Sequence, residues 1–356
     1  MNVLLVQPQV CAEPMYPVPL AAMAAVLRAR GHAVWGVDLQ FDSVATLYDR
    51  LQEVEADWVG ATVLPHNAEE VGKLFRDLRT IRPISTFIAG AYPTLDAKAA
   101  LLRTGADVAV VGDPETTVGD LVDAGHPGPI PGAVARTEHG PVAGPRRQPT
   151  PLADLPFPDR SLFPPIRYSY AMRSTAVPYT MAYTSRGCHL ACPWCAVPTL
   201  RPRGFNARPA EQIHAEMRML AEDFGIRSVH VEDDAFLADR SRVMALCGLL
   251  RERPVNAVWE LVNGVRPDQL DAELVTAMAD AGCSRLVLSL EHLAAKEAGE
   301  AGYTYAAARK AVRMARGAGM RVGGYFMVGL PGVSLAESLA SIYRALALRL
   351  DDANFI

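Results

Sequence analysis

The sequence predicts an α/β protein built from two successive parallel β/α domains. Its 356 residues are about two domains' length. Short apolar runs alternate with amphipathic helical stretches from residue 1 to about residue 125, and again from Tyr179 onward, while prolines crowd the gap between the two series. Strands that are apolar throughout and separated by helices belong to a parallel sheet covered on both faces.

In the first series, strands are expected at Val3 to Val6, Val34 to Val37, Trp58 to Val63, Ile84 to Ala89 and Val108 to Val111. Helical patterns run from Leu20 to Arg30, Phe41 to Glu53, Glu69 to Thr80 and Leu95 to Arg103. About five strands in ~125 residues suit a doubly wound, flavodoxin-like domain, whose ligand sits beyond the carboxyl ends of the strands. The loops expected to matter are Gln7 to Tyr16, Thr62 to Asn67, Gly90 to Thr94 and Gly112 to Thr116. Eleven of the 27 prolines then fall between Pro127 and Pro165. Proline interrupts both helices and central strands, so 127–170 is expected to be a linker between a domain at 1–126 and one at 171–356.

The second series predicts strands at Tyr179 to Thr184, Ser228 to Val231, Val258 to Val262, Arg285 to Leu290 and Arg321 to Val328. The helices between and after them are expected at Pro209 to Phe224, Ser241 to Arg251, Asp268 to Ala281, Tyr305 to Gly317 and Leu335 to Leu348, with Ala353 to Ile356 opening a further strand. Such a domain, open or barrel-like, carries its active site at the strands' carboxyl ends. The abrupt stop after Ile356 predicts either a truncated chain or a missing partner element.

Charged residues make up 21 % of the chain, and 35 Lys+Arg against 39 Asp+Glu leave a formal charge of −4. That is not basic enough to predict nucleic acid or an anionic membrane as partner. No run of ~18 apolar residues is present. Met1 leads directly into a strand without a basic leader or small-residue cleavage site, which reads as cytoplasmic.

Six cysteines are too few for a disulfide scaffold, and three of them cluster in Ser185-Arg186-Gly187-Cys188-His189-Leu190-Ala191-Cys192-Pro193-Trp194-Cys195, just after the first strand of the second series. Three thiolates at C-x3-C-x2-C can hold three irons of a [4Fe–4S] cluster and leave the fourth iron for a substrate or cosubstrate. A zinc site completed by His189 or another residue is the alternative. Cys11, Cys247 and Cys283 stand singly and read as packing residues.

With Trp194 as its aromatic, this stretch resembles the radical SAM signature C-x3-C-x-aromatic-C. The resemblance spans residues 179–356 and implies a partial (β/α)6 barrel in which Cys188, Cys192 and Cys195 ligate the cluster and the unique iron binds S-adenosylmethionine. It also implies cosubstrate contacts at the backbone near Trp194, at Glu232 of Glu232-Asp233-Asp234, at Arg266, at Glu291 on the ribose hydroxyls, and at Gly329 in Gly329-Leu330-Pro331-Gly332. Many members carry Gly-Gly-Glu where this chain has Glu232-Asp233-Asp234. Read without the resemblance, those acids are helix-capping groups, Arg266 is a solvated loop residue and the glycines make a structural turn.

The first domain resembles the cobalamin-binding domain of the B12-dependent radical SAM enzymes. The resemblance rests on Met15-Tyr16-Pro17-Val18-Pro19-Leu20, Gly31-His32, Asp38, Gly90-Ala91-Tyr92-Pro93-Thr94 and Val111-Gly112-Asp113-Pro114-Glu115-Thr116-Thr117, in the family's order. It implies that Thr62, Leu64, Gly90, Tyr92, Thr94, Gly112 and Glu115 line cobalamin. The D-x-H-x-x-G motif that supplies a cobalt-ligating histidine elsewhere is absent, and His32, His66 and His126 do not fit it. With Cys11 alone, the domain cannot bind the second cluster found in methylthiotransferases.

Together these resemblances imply a cobalamin-dependent radical SAM methyltransferase. It would move a methyl group from methylcobalamin to a substrate carbon radical generated by the 5′-deoxyadenosyl radical. The alternatives are a cobalamin-dependent cyclase or rearrangement enzyme, and a non-catalytic cobalamin or iron–sulfur partner protein. The expected partners are a small-molecule substrate and an electron donor such as flavodoxin or ferredoxin.

Overall fold

The computed structural model describes residues 1–10, 13–168, 174–190, 192, 194–201, 204–291, 303–330 and 333–356. The chain divides into two compact units, Met1–Tyr170 with Thr199–Pro202 and Ala171–Pro198 with Arg203–Ile356.

The first unit alternates β1 (Asn2–Gln7), α1 (Val18–Ala29), β2 (Ala33–Asp38), α2 (Val44–Glu53), β3 (Trp58–Thr62), α3 (Ala68–Ile81) and β4 (Ser85–Ala89). It continues with α4 (Ala91–Leu95), α5 (Ala97–Thr104), β5 (Val108–Val110), α6 (Pro114–Ala124), β6 (Ala133–Thr137) and β7 (Gly140–Ala143). The strand order is β2-β1-β3-β4-β5-β6-β7, and the first five strands are parallel. The chain leaves β1 for β2 on one side and returns to β3 on the other, so a crevice opens beyond the carboxyl ends of β1 and β3. Val3, Leu4, Leu5 and Val6 are all fully buried, as a strand covered on both faces requires.

The expected linker is corrected by the structure: the Pro-rich segment is part of the first unit. β6 pairs antiparallel with β5, and β7 with β6. Pro141 is tolerated because β7 is the terminal strand, where a missing N–H breaks no inner ladder. The following residues cover the opposite edge, at β2. A Cβ on Gly36 would stand 2.8 Å from the Phe163 ring, so only glycine admits that ring. The buried Tyr168 donates its hydroxyl to Asp38 at the end of β2, and Arg160 lies 4.7 Å over the Tyr16 ring. A covered edge strand cannot recruit another chain.

The second unit begins with β8 (Tyr179–Ala182) and the short β9 (Ser185–Arg186), which pairs antiparallel with β10 (Asn206–Ala207); between β9 and β10 in sequence lies α7 (Val197–Leu200), whose last two residues are grouped with the first unit. It continues through α8 (Ala210–Asp223), β11 (Ser228–Val231), α9 (Arg240–Glu252), β12 (Val258–Val265) and α10 (Ala272–Asp280). β13 (Cys283–Ser289), α11 (Tyr305–Gly317), β14 (Arg321–Phe326), α12 (Leu335–Leu348) and β15 (Asp352–Phe355) complete it. Asp239, Asp271, Thr304 and Ser334 start α9 to α12 by accepting from the backbone N–H three residues on. The cap at Asp271 corrects the helix expected from Asp268. Six parallel strands lie in sequential order, β8-β11-β12-β13-β14-β15, as an open, partial barrel. Among the described residues, no helix is long and apolar enough to cross a membrane.

A fully buried carboxylate anchors the amino-terminal end of this barrel. Glu260 accepts hydrogen bonds from Thr175 N (2.6 Å), Thr175 Oγ1 (2.8 Å), Ser174 Oγ (3.0 Å) and Ser228 Oγ (2.9 Å). Its other oxygen faces His230 and Arg285, each 3.7 Å away, and Arg285 reaches on to Asp352 at 2.9 Å. Gly323 makes this possible, because a Cβ there would come within 2.7 Å of the Asp352 carboxylate. Removing one partner of a buried ion pair leaves an uncompensated charge, at a cost of about 3 kcal/mol or more. Arg285→Met is therefore expected to lower unfolding free energy in urea by about that amount, and Asp352→Asn by less, because Arg285 then keeps Glu260.

Burial pushes the His230 imidazole down from its ordinary 6.5 to about 4, so it is neutral at pH 7. Between those values the unfolded chain binds the proton and the folded chain does not, so stability falls as pH drops from 6.5 toward 4. Urea midpoints measured across that span are expected to fall less steeply in His230→Gln than in the wild type.

Candidate functional site

Because all six strands of the second unit run the same way, their carboxyl ends form one rim. β8 leads into the cysteine loop, β11 into Glu232-Asp233-Asp234, β12 into Arg266, β13 into Glu291 and β14 toward Gly329. The expected residues thus stand side by side although up to 141 positions apart in sequence, from Cys188 to Gly329.

The root of the cysteine loop is tightly closed. Gly187 adopts φ +85°, and a Cβ there would stand 2.1 Å from the Gly204 carbonyl oxygen, so entry and exit strands can cross only at a glycine. The β9/β10 ladder and Arg208 N–H donating to the Thr184 carbonyl (2.9 Å) lock the same crossing. Inside the loop, Cys195 N–H donates to the Cys192 carbonyl at 3.1 Å, and Leu190 N–H points at the Cys188 sulfur at 3.4 Å. Half-buried Trp194 sits in that turn; Ala191 and Pro193 lie outside the described residues.

Burial pushes the thiols of Cys188 and Cys192 up, and the neighbouring cysteines push them further. Asp234 acts in the same sense on Cys188 and Glu291 on Cys192, while Arg266 draws both down. All three thiols, two carboxylates and one guanidinium therefore share one electrostatic neighbourhood. Among the described residues, no three His, Cys, Asp or Glu side chains converge closely enough for a single metal ion. Three thiols on one short loop, with the Leu190 N–H aimed at the Cys188 sulfur, are the donor chemistry that a [4Fe–4S] cluster takes.

The three acids after β11 divide their tasks. Burial and the adjacent Asp233 raise the Glu232 carboxyl to about 7. Asp233 is buried and turned toward Thr184 and Ser185, and Asp234 accepts from Gly187 N–H at 2.7 Å. None of them caps α9, whose cap is Asp239. Asn263 Nδ2 donates to the Asp233 carbonyl at 3.1 Å and so fixes this turn from β12.

Arg266 is not the solvated loop residue of the alternative reading. Its guanidinium is held by Asp268 at 2.9 and 2.5 Å and lies 5.7 Å over the Tyr303 ring. Burial raises the Glu291 carboxyl to about 7. Gly329 has φ +74° with open space where a Cβ would stand, as a close backbone approach requires; Pro331 and Gly332 lie outside the described residues.

In the first unit, the carboxyl edge gathers most of the other expected positions. Thr62 Oγ1 donates to Gln7 Oε1 at 3.1 Å across the β1/β3 crevice. Gly112 N–H donates to Thr94 Oγ1 (3.0 Å), which donates to the Gly90 carbonyl (2.7 Å), and Tyr92 N–H donates to the Val63 carbonyl (3.2 Å). Gly90 and Gly112 take φ of +112° and +82°, and Gly112 faces open space. Leu64 N–H donates to Asn67 Oδ1 (2.9 Å), which leaves the buried Asn67 Nδ2 without a hydrogen-bond partner among the described residues. A glycine-lined edge with a surplus buried donor fits a ligand rich in amide acceptors.

Glu115 departs from expectation: it is 2 % exposed in the first turn of α6, inside the unit and not open on its rim. His66 is occupied by the Val10 carbonyl at 2.9 Å, and Cys11 lies outside the described residues. Sequence reasoning missed Asp233, Asp234 and Arg242 at the loop root, and Asn67 beside Leu64. Asp-Asp after a strand and Asn before a helix were signals, but both read equally as capping residues.

The family profile of the radical SAM superfamily matches residues 183–342, and that of the B12-binding domain matches residues 9–122. An uncharacterized methyltransferase of Pyrococcus horikoshii is 24 % identical over 95 % of this chain and 75 % of its own length. The cytidylyl-2-hydroxyethylphosphonate methyltransferase of Streptomyces wedmorensis is 26 % identical over 57 % of this chain and 40 % of its own length. The radical S-adenosylmethionine methyltransferase TsrM of Kitasatospora setae, solved with tryptophan and an S-adenosylmethionine analogue, shares the fold. It superposes with a TM-score of 0.83 at 21 % identity, over 99 % of this chain and 72 % of that one. With a radical SAM match over residues 183–342 and a B12-binding match over residues 9–122, the chain is similar to the cobalamin-dependent, methyltransferase-like radical SAM enzymes.

Proposed function

We propose that the protein is a C-methyltransferase acting on a small molecule. The observation that carries this reading is the single rim on which three thiols, Glu232, Arg266 and Glu291 meet, in a chain that also holds a glycine-lined B12-binding unit. Bound together, the cluster and S-adenosylmethionine supply the 5′-deoxyadenosyl radical, and methylcobalamin supplies the methyl group.

The chain's own residues bind and orient. Cys188, Cys192 and Cys195 hold three corners of the cluster. Glu232 accepts from the ammonium of S-adenosylmethionine, and Glu291 accepts from its ribose hydroxyls. Arg266, already oriented by Asp268 and Tyr303, presents a fixed donor to the carboxylate. The backbone at Trp194 and Gly329 lies against the adenine. In the first unit, Thr62, Leu64, Gly90, Tyr92, Thr94 and Gly112 line cobalamin, and Glu115 supports the slot from within α6. A reduced flavodoxin or ferredoxin in the cytoplasm supplies the electron.

Protein reconstituted anaerobically with iron, sulfide and hydroxocobalamin is expected to retain cobalamin after desalting. Given reductant and S-adenosylmethionine, it is expected to release both 5′-deoxyadenosine and S-adenosylhomocysteine. Deoxyadenosine alone, with substrate present, overturns methyl transfer in favour of cyclisation or rearrangement. Neither product from protein bearing both cofactors overturns the catalytic reading.

Glu232 and Glu291 both titrate near pH 7, so the fraction charged rises between about pH 6 and 8. Affinity for S-adenosylmethionine, measured by equilibrium dialysis, is expected to rise across that span. Glu291→Gln is expected to weaken binding about tenfold at pH 8 and to flatten part of the pH dependence.

A further inference from the structure

Asp233 and Asp234, at the end of β11, hold successive points of the strand that delivers the first cysteine. Asp233 accepts from Thr184 N (2.6 Å), Thr184 Oγ1 (2.5 Å) and Ser185 Oγ (2.6 Å). Behind it, buried Arg242 is 3.7 Å away and donates to Thr184 Oγ1 at 3.0 Å, sandwiched over the rings of Phe205 and Phe236 at 5.4 and 5.0 Å. Asp234 accepts from Gly187 N–H at 2.7 Å, and Cys188 is the next residue.

Gly187 is buried and crosses the Gly204 backbone in a left-handed conformation. The chain direction into Cys188 therefore depends on what holds this one peptide group. We propose that Asp234 is a positioning residue for the cysteine loop: by accepting from Gly187 N–H it aims Cys188 before iron arrives, without touching iron itself. Asp233 and Arg242 supply the rigid base on which it acts. The proposal rests on the reading of Cys188, Cys192 and Cys195 as cluster ligands. A loop ordered in advance loses less conformational entropy on taking up the cluster, so the cluster dissociates more slowly.

Asp234→Ala removes the acceptor and leaves a buried N–H unpaired, whereas Asp234→Asn keeps an oxygen in the same place. The test uses the full chain, reconstituted anaerobically with iron and sulfide, as wild type, D234A and D234N. The readouts are the rate at which a ferrous chelator strips iron, the electron paramagnetic resonance spectrum of the reduced cluster, and the melting temperature of the iron-free chains. D234A is expected to lose iron about tenfold faster than wild type, with a broadened spectrum and a melting temperature lowered by no more than about a few degrees, and D234N to stay within about twofold of wild type.

Iron loss in D234A at the wild-type rate overturns the proposal. So does iron loss in D234N as fast as in D234A, or a D234A chain that is already unfolded at the temperature of the iron-release assay. A wild-type chain that takes up no iron is a separate outcome, and it overturns the cluster reading itself.

Discussion

An open sheet of six parallel strands has no closing ladder to fix the spacing of its first and last members, so its interior must do so. Here the buried Glu260 carboxylate performs that task. It is bonded to Ser174 and Thr175 ahead of β8 and to Ser228 of β11, and it faces Arg285 of β13, which is paired with Asp352 of β15. Burial pushes the carboxyl up, yet His230 and the hydrogen bonds from Thr175 and Ser228 hold it below its ordinary value. The charge is tolerable because four donors converge on one carboxylate oxygen and the Arg285 guanidinium faces the other at 3.7 Å.

Placing this network at the amino-terminal end frees the carboxyl-terminal rim for residues that would weaken an ordinary core. Two carboxyls titrating near 7 and two burial-raised thiols are unfavourable groups to crowd together. Their repulsion is offset in part by Arg266, whose own orientation comes from Asp268 and from the Tyr303 ring. The first unit follows the same division. Its apolar strands carry stability, while the loops after β4 and β5 carry Gly90 and Gly112 and the loop after β3 carries the surplus amide donor of Asn67.

The order of strands and helices in both units was legible because parallel strands are apolar on both faces and amphipathic helices are not. Thus Val3 to Val6 and Leu335 to Leu348 read correctly within a residue or two. The hairpin of β6 and β7 was not legible. Pro141 argues against a strand unless it is known to lie at the sheet's outer edge, and that position is decided by pairing with β5 and β6. The short helix α4 was hidden too, because Gly90-Ala91-Tyr92-Pro93-Thr94 reads as a loop, whereas the helix expected from Leu95 to Arg103 is α5, with Asp96 accepting from the Ala99 N–H.

The sequence by itself singled out Cys188, Cys192 and Cys195 as the candidate ligand set, because three thiols at a fixed local spacing need only a tight turn to come together. It also determined the fold class, because the period of its hydrophobic pattern is a local property. Only the tertiary structure decided that Glu232, Arg266 and Glu291 share the cysteines' rim. It alone decided that Asp233 and Asp234 face the loop root instead of a helix, and that Glu115 points inward. Those outcomes depend on which strands become neighbours and on where each side chain finds a partner. Such contacts join residues as far apart as Thr175 and Ser284, or Arg285 and Asp352, and no local pattern in the chain encodes them.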